Sequence, residues 1–374
     1  MVPDMAPQWL SANPRASQSL TFGAAQRAVI DPDRVPDVGA LLGDKHGPTP
    51  LQTLPALAAR MGVGEIRVKD ESQRFGFGAF KALGGVFAVH QFVATHKATG
   101  GDRAPADTVF ATASSGNHGR AVAMGAQLAG AKCVIFLPKF TSAEKEAAIR
   151  ARGAEVIRVD GDYEAAVAAC RRQATEKGWT IISDTSWEGY DTVPRDVMRG
   201  YTVLAREVVQ QWQEAPTHVL VQAGVGGLAA ALIGYLWAVL AQRPVFVIVE
   251  PASADCWFQS NLAGKPALAS GNADTAMGGL ACREISPLTW PVLGVGTDWF
   301  MTIEETGVMP ARRQFARPLG ADPAITSGPS GCAGLAGLLR LCGDKDTAEA
   351  LGLGKGSRVL LINSEGNLGE AMPA

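Results

Sequence analysis

Lys69-Asp-Glu-Ser-Gln-Arg-Phe-Gly-Phe-Gly-Ala-Phe-Lys-Ala-Leu-Gly-Gly85 joins a short β-like run to an apolar helical pattern through a polar, glycine-rich loop. The pattern continues through Val86, Phe87, Val89, His90, Phe92 and Val93, so Lys81 stands at a helix start behind Phe77-Gly-Ala-Phe80. An ammonium among aromatic and small neighbours, at the positive end of a helix, is disfavoured by desolvation and by the dipole. Such an amine is a nucleophile suited to a Schiff base with a carbonyl cofactor. Taken alone, the stretch also reads as an ordinary helix-start lysine reaching solvent. What accompanies Lys81 further along the chain decides between the two.

Upstream of this stretch, residues 1 to about 60 are weakly patterned and rich in proline, which predicts an extended arm and loops, then a short helix near Leu54–Met61. Glu65–Lys69 reads as a strand and 80–97 as a helix. Downstream, strands and helices alternate. Thr108–Thr112, Lys132–Leu137, Glu155–Val159 and Thr180–Ser183 are short apolar or β-branched runs. Between them lie helical patterns at Gly116–Leu128, Ala143–Arg152 and Tyr163–Glu176. Continuous apolar strands separated by helices predict parallel α/β layers, and 106–184 reads as a small lobe of its own. A long helix at Val193–Glu214 follows, then the strand His218–Gln222, a helix at 228–240 and the strand Val245–Glu250. The stretch 251–330 reads as irregular with small helices, before a helix at 330–342 and the strand Arg358–Asn363. Residues 1–105 and 185–374 together make the expected larger lobe.

Bulk properties narrow the function classes. With 34 basic and 36 acidic residues in 374, the net charge is −2, which gives no footprint for a nucleic acid or a membrane surface. Apolar residues make up 47%, enough for a sizeable core. No apolar run reaches membrane-spanning length, and the N-terminus has no basic stretch followed by an apolar one. The six cysteines form no CxxC or zinc-type cluster. The expectation is a cytoplasmic protein with reduced thiols, with no regulatory domain after Asn367.

Three further loops carry chemistry. Gly224-Val-Gly-Gly227 leaves a strand and opens a helix, which suits a phosphate seat as well as a tight packing turn. It is neither GxGxxG nor a Walker loop. Ser114-Ser-Gly-Asn-His-Gly-Arg120 offers hydroxyls and a helix start to an anion such as a carboxylate, and Ser114 or Ser115 also suits an N-cap. Ser364-Glu-Gly-Asn367 follows the last strand, where α/β sheets place ligand groups, and the Ser364 hydroxyl suits a ring nitrogen. Asp184, within Asp184-Thr-Ser-Trp-Glu-Gly-Tyr190, is a candidate acid or base, with Trp187 and Tyr190 placed to desolvate it and raise its pKa.

Taken together and in this order, these motifs resemble the pyridoxal-phosphate enzymes of the tryptophan-synthase-β fold (fold type II). Within that fold the chain is similar to the diaminopropionate ammonia-lyases. The likeness rests on Arg74–Gly85, Gly116–Arg120, Asp184–Tyr190, Gly224–Gly227, Glu250–Cys256 and Met277–Cys282. It implies a two-lobed α/β architecture with open, mostly parallel twisted sheets flanked by helices, and pyridoxal 5'-phosphate as cofactor. It implies that Lys81 holds the cofactor and later moves protons, and that Phe80 and Asn117 flank the ring. Backbone at Gly224, Val225, Gly226 and Gly227 takes the phosphate, and Ser364 faces the pyridine nitrogen. Ser114, Ser115, Gly116, Asn117 and His118 take the substrate carboxylate. A neutral group at that nitrogen suits elimination over transamination.

The chain departs from the lyase pattern at one position. The lyases carry Asp before Gly-Asn-His-Gly, linked to proton removal from the D-isomer, where this chain has Ser115, as in serine and threonine dehydratases and serine racemase. Asp184, the second carboxylate of the pattern, is retained. The expected activity is α,β-elimination from a β-substituted amino acid, foremost 2,3-diaminopropionate and its L-isomer. Serine/threonine- or hydroxyaspartate-type dehydration and β-replacement are the alternatives. A nucleotide-binding α/β protein without catalysis is disfavoured by the missing GxGxxG and by Lys81. Cys256 and Cys282 match a pair that can bridge in the lyases, and two reduced thiols fit the sequence at least as well. A homodimer is implied by the resemblance alone; no metal, nucleic-acid or membrane partner is expected.

Overall fold

The computed structural model describes residues 7–43, 47–100 and 104–367. Its strands, in chain order, are β1 (Leu10–Ala12), β2 (Leu51–Thr53), β3 (Glu65–Asp70), β4 (Val109–Ala113), β5 (Lys132–Pro138), β6 (Glu155–Val159), β7 (Thr180–Ile181), β8 (His218–Gln222), β9 (Val245–Pro251), β10 (Trp299–Ile303) and β11 (Arg358–Asn363). The chain divides into two compact units. One gathers the described residues of 1–33, 48–80 and 204–374, the other those of 34–47 and 81–203.

The first unit is built on a seven-stranded sheet of order β1-β10-β9-β8-β11-β3-β2. Its five inner strands are parallel, and β1 and β2 close the edges antiparallel. The inner strands are buried nearly end to end, as a parallel sheet covered on both faces requires. Val68, Leu220, Val247, Val249 and Leu361 pack with Leu335 and Leu338 of the helix Ala333–Cys342 and with Phe315 of the helix Glu305–Ala316. The second unit carries the all-parallel sheet β6-β5-β4-β7. There Ala111, Val134 and Phe136 meet Ala166, Ala169 and Cys170 of the helix Tyr163–Lys177.

The α/β class and the alternation of strand and helix follow the sequence pattern. β1, β2, β10 and the helix Glu305–Ala316 escape it. β1 and β2 are three-residue edge strands, too short to show a period. β10 and the helix Glu305–Ala316 lie in the stretch expected to be irregular. Trp299-Phe-Met-Thr-Ile303 is an apolar run that pairs with β9, and Pro310 interrupts the helical pattern that follows. The strand expected to reach Ser183 stops at Ile181, because the Ser183 amide donates to the Tyr190 hydroxyl at 3.1 Å instead of to a ladder partner.

In the second unit, Leu83-Gly-Gly85 serves packing. A Cβ at Gly85 would lie 2.6 Å from that of Ala121, so the helix Lys81–Ala98 approaches the helix Asn117–Leu128 backbone to backbone. Two loops with candidate chemistry therefore open helices in direct contact. Among the described residues, no helix is long and apolar enough to cross a membrane, and no group of His, Cys, Asp and Glu is arranged to hold a metal.

Candidate active site

In the second unit, Lys81 is the first residue of its helix and Asp184 follows β7. The Lys81 Nζ donates to Asp184 Oδ2 at 2.5 Å, and each side chain is about one-fifth exposed (19%), so both groups remain reachable. The Lys81 ammonium also lies 5.8 Å from the ring centroid of the buried Tyr201. Buried His118 donates through Nε2 to the Ile182 carbonyl at 2.9 Å, since a carbonyl can only accept. Its Nδ1 then faces Asp184 Oδ2 at 3.8 Å. Burial, opposed by Asp184 and aided by Lys81, pulls the His118 pKa down. In its neutral form His118 offers Nδ1 as a proton acceptor beside the carboxylate, and in its protonated form it adds the positive charge that favours the ionised Asp184.

The expectation that Trp187 and Tyr190 raise the Asp184 pKa is corrected by the structure. Burial does push it up, but the charges of His118 and Lys81 and the Lys81 hydrogen bond outweigh burial and hold it well below the usual carboxylate range. The two aromatic rings are occupied elsewhere. They stack on each other at 3.9 Å, with Arg171 over Trp187, and the Tyr190 hydroxyl bonds the backbone on both sides of Ile182. That phenol fixes the strand end from which Asp184 projects.

The Ser114–His118 turn opens the helix Asn117–Leu128, and its N-cap is Gly116 with no side-chain cap, not either serine. The Ser114 hydroxyl accepts from the Gly116 amide only at 3.4 Å. Ser114 and Ser115 are half-buried at a helix start whose first amides lack intrahelical acceptors, an arrangement suited to a carboxylate. Asn117 accepts from Arg120 at 3.0 Å through Oδ1, which orients its amide as a donor.

In the first unit, Gly224–Gly227 leads from β8 into the helix Gly227–Val239. Gly226 has φ +102°, and a Cβ there would lie 2.5 Å from Trp257 Cζ2, so only glycine serves. The Gly224 carbonyl accepts from Trp257 Nε1 at 3.0 Å, and the Val225 carbonyl accepts from the Ser286 amide at 2.9 Å. In a trans peptide the N–H points opposite to the C=O. The amides of Val225 and Gly226 therefore turn away from those partners, beside the open amides of a helix start. This is the geometry of an anion nest, and it fits a phosphate monoester.

Ser364 follows β11, and its buried hydroxyl accepts from Gln222 Nε2 at 3.0 Å. With its lone pair engaged, the hydroxyl has a proton to give, which fits an unprotonated ring nitrogen. The Ser364 carbonyl accepts from the Phe80 amide at 3.1 Å, and the Gly78 carbonyl from the Gly366 amide at 2.9 Å, so Phe77–Phe80 is tied to the end of β11.

The loop before Phe77 is strained and strongly held. Phe75 sits at φ +55°, a region costing a non-glycine residue on the order of 1 kcal/mol or more. Its neighbour Arg74 is buried and makes five hydrogen bonds of 2.7–2.9 Å to Glu71, Glu207 and Thr49, and Lys69 meets Glu207 at 2.6 Å. Glu207, Tyr201, Gln222 and Trp257 escape the sequence motifs, and Arg74 lies within one with no role read from it. Glu207 alone had a signal, as a charge among the apolar positions Leu204 and Val208 of the helix Thr192–Gln211. Cys256 and Cys282 are thiols rather than a disulfide.

Comparison with known proteins agrees with this chemistry. The family described as "Pyridoxal-phosphate dependent enzyme" matches residues 42–365. Diaminopropionate ammonia-lyase of Escherichia coli (strain K12) is 39% identical over 342 residues, covering 86% of this chain and 85% of its own. The crystal structure of the Escherichia coli enzyme in complex with an aminoacrylate-PLP azomethine reaction intermediate superposes with a TM-score of 0.84 at 35% identity, over 96% of this chain and 94% of the other. The same enzyme in complex with D-serine gives a TM-score of 0.85 at 34% identity, with the same coverage.

Proposed function

The chain belongs to the pyridoxal-phosphate dependent enzymes, and from that premise we propose that it is an ammonia-lyase that eliminates ammonia from 2,3-diaminopropionate. The observation that carries the chemistry is the 2.5 Å contact between Lys81 Nζ and Asp184 Oδ2. An elimination removes a proton at Cα and supplies one to the group leaving Cβ, and these two groups can exchange a proton directly. The substrate class is taken from the likeness to the Escherichia coli lyase.

The residues divide the work. Lys81 would hold the cofactor through Nζ, and the same Nζ would take the α-proton. Asp184 Oδ2 accepts a proton from that amine and hands it to the departing β-amine, with His118 Nδ1 alongside as a second acceptor. Ser114–His118 would grip the carboxylate and so orient Cα for loss of its proton. The amides at Val225 and Gly226 hold the phosphate, Ser364 donates to the ring nitrogen, and Phe80 and Asn117 flank the ring. Bound pyridoxal phosphate supplies the electron sink for charge developing at Cα. With one water, diaminopropionate gives one pyruvate and two ammonia.

Purified protein with cofactor is expected to release two ammonia per 2-oxo acid from L-2,3-diaminopropionate. Turnover of serine, threonine or 3-hydroxyaspartate instead, with one ammonia per 2-oxo acid, would move the chain to the dehydratases. Ser115 is the observation that favours that second reading.

Ser115 also sets the expected stereochemistry. A hydroxyl is a poor base at the face where the lyases carry a carboxylate, so the L-isomer is the better substrate. Ser115→Asp is expected to raise kcat/KM for D-diaminopropionate by about two orders of magnitude, the size of a positioned general base. Unchanged D-isomer turnover in a variant that binds cofactor normally would refute this role. The domain reading, a small lobe at 106–184 within a larger one, a homodimeric assembly and a cytoplasmic location remain part of the proposal.

A further inference from the structure

The phosphate nest depends on a residue that cannot reach the ligand. Trp257 is fully buried (0% exposed) in the first unit and is held on three sides. Its amide and that of Phe258 each donate to a carboxyl oxygen of buried Glu250 at 2.8 Å. Its ring stacks on Trp290 at 6.1 Å and Phe300 at 6.4 Å. The free edge of the indole lies against Gly226, and its Nε1–H takes the Gly224 carbonyl at 3.0 Å.

We propose that Trp257 is a positioning residue for the cofactor's phosphate, its indole N–H turning the Gly224–Val225 peptide so that the Val225 amide faces the phosphate ester. The inference rests on the assignment of Gly224–Gly227 as the phosphate seat. The Gly224 carbonyl and the Val225 amide belong to one planar unit and point opposite ways, so whatever fixes the carbonyl fixes the amide. Without the indole N–H, the half-buried Gly224 carbonyl keeps only a long contact from Cys256 Sγ at 3.9 Å, and the peptide can rotate the carbonyl toward the ligand. A carbonyl oxygen facing a dianion is repulsive where an amide was attractive. Glu250 and the two stacked rings make the indole a fixed support rather than a mobile side chain, which suits a nest that must be formed before the ligand arrives.

The test compares pyridoxal 5'-phosphate with pyridoxal, which lacks only the phosphate, by equilibrium binding to the apo-protein of wild type and Trp257→Phe. Phenylalanine keeps most of the packing and removes the N–H. Wild type is expected to prefer the phosphorylated form strongly, and Trp257→Phe is expected to lose about fivefold in affinity for it, the share of one hydrogen bond, with pyridoxal unchanged. Equal loss for both ligands would make Trp257 merely structural and overturn the inference, as would no loss for either. Absence of a phosphate preference in wild type would instead overturn the seat itself. Where Trp257→Phe does not fold, benzothienylalanine at position 257, which replaces the N–H by sulfur in the same bicyclic frame, makes the same measurement.

Discussion

Lys81→Ala is expected to abolish turnover, with kcat falling by at least about four orders of magnitude, because one amine serves three purposes in the proposed mechanism. It tethers the cofactor, takes the α-proton, and exchanges that proton with Asp184 over 2.5 Å. Two measurements separate tethering from folding. Borohydride treatment followed by intact-mass analysis is expected to fix cofactor on wild type and none on the variant. The visible absorbance of the bound cofactor is expected to shift, because the cofactor is then held only by its phosphate and ring contacts. Covalent capture persisting in Lys81→Ala would place the attachment on another amine. The nearest in sequence, Lys69, is fully buried and committed to Glu207, Thr49 and Gln211.

Asp184→Asn is the second large effect, with an expected loss in kcat of about a hundredfold or more and little change in KM, since the residue moves protons and does not grip the carboxylate. Its pH signature follows from the direction of the shift. Lys81 and His118 hold the Asp184 pKa below its ordinary value against burial, so the ionised form is fully present above the unfolded carboxylate pKa of about 4. Its contribution, to catalysis as to stability, is lost only as pH falls through the depressed folded value. The variant is therefore expected to be slower at every pH from about 6 to 9 without moving the limbs of the profile. A variant limb displaced within that window would show that Asp184 titrates there and that the ion pair is weaker than its geometry implies. Burial pulls the His118 pKa below its ordinary value, with Asp184 opposing.

Much of the architecture is written in local patterns. Apolar β-branched runs with helices between them specify parallel α/β layers because each strand must be buried on both faces. Glycine at 226 and 85 encodes close backbone approach, which any larger residue would prevent. Pro310 and the three-residue edge strands show the opposite case, where local preference is overruled by the neighbours an element docks against.

The candidate chemistry divides in the same way. Residue types and their order are legible in the chain alone: a lysine at a helix start, serine and glycine turns at helix openings, a serine after the last strand, a carboxylate after a short one. Which of them meet is set by folding. Lys81 and Asp184 are 103 positions apart, and their contact reverses the pKa shift that the aromatic neighbours alone suggest. Trp257 lies 33 positions beyond the carbonyl it holds, and Arg74 lies 133 before Glu207. No sequence period links such pairs. A buried hydrogen bond or ion pair draws its strength from the low dielectric and fixed geometry that a folded interior supplies, so its partners become identifiable only once the chain has closed around them.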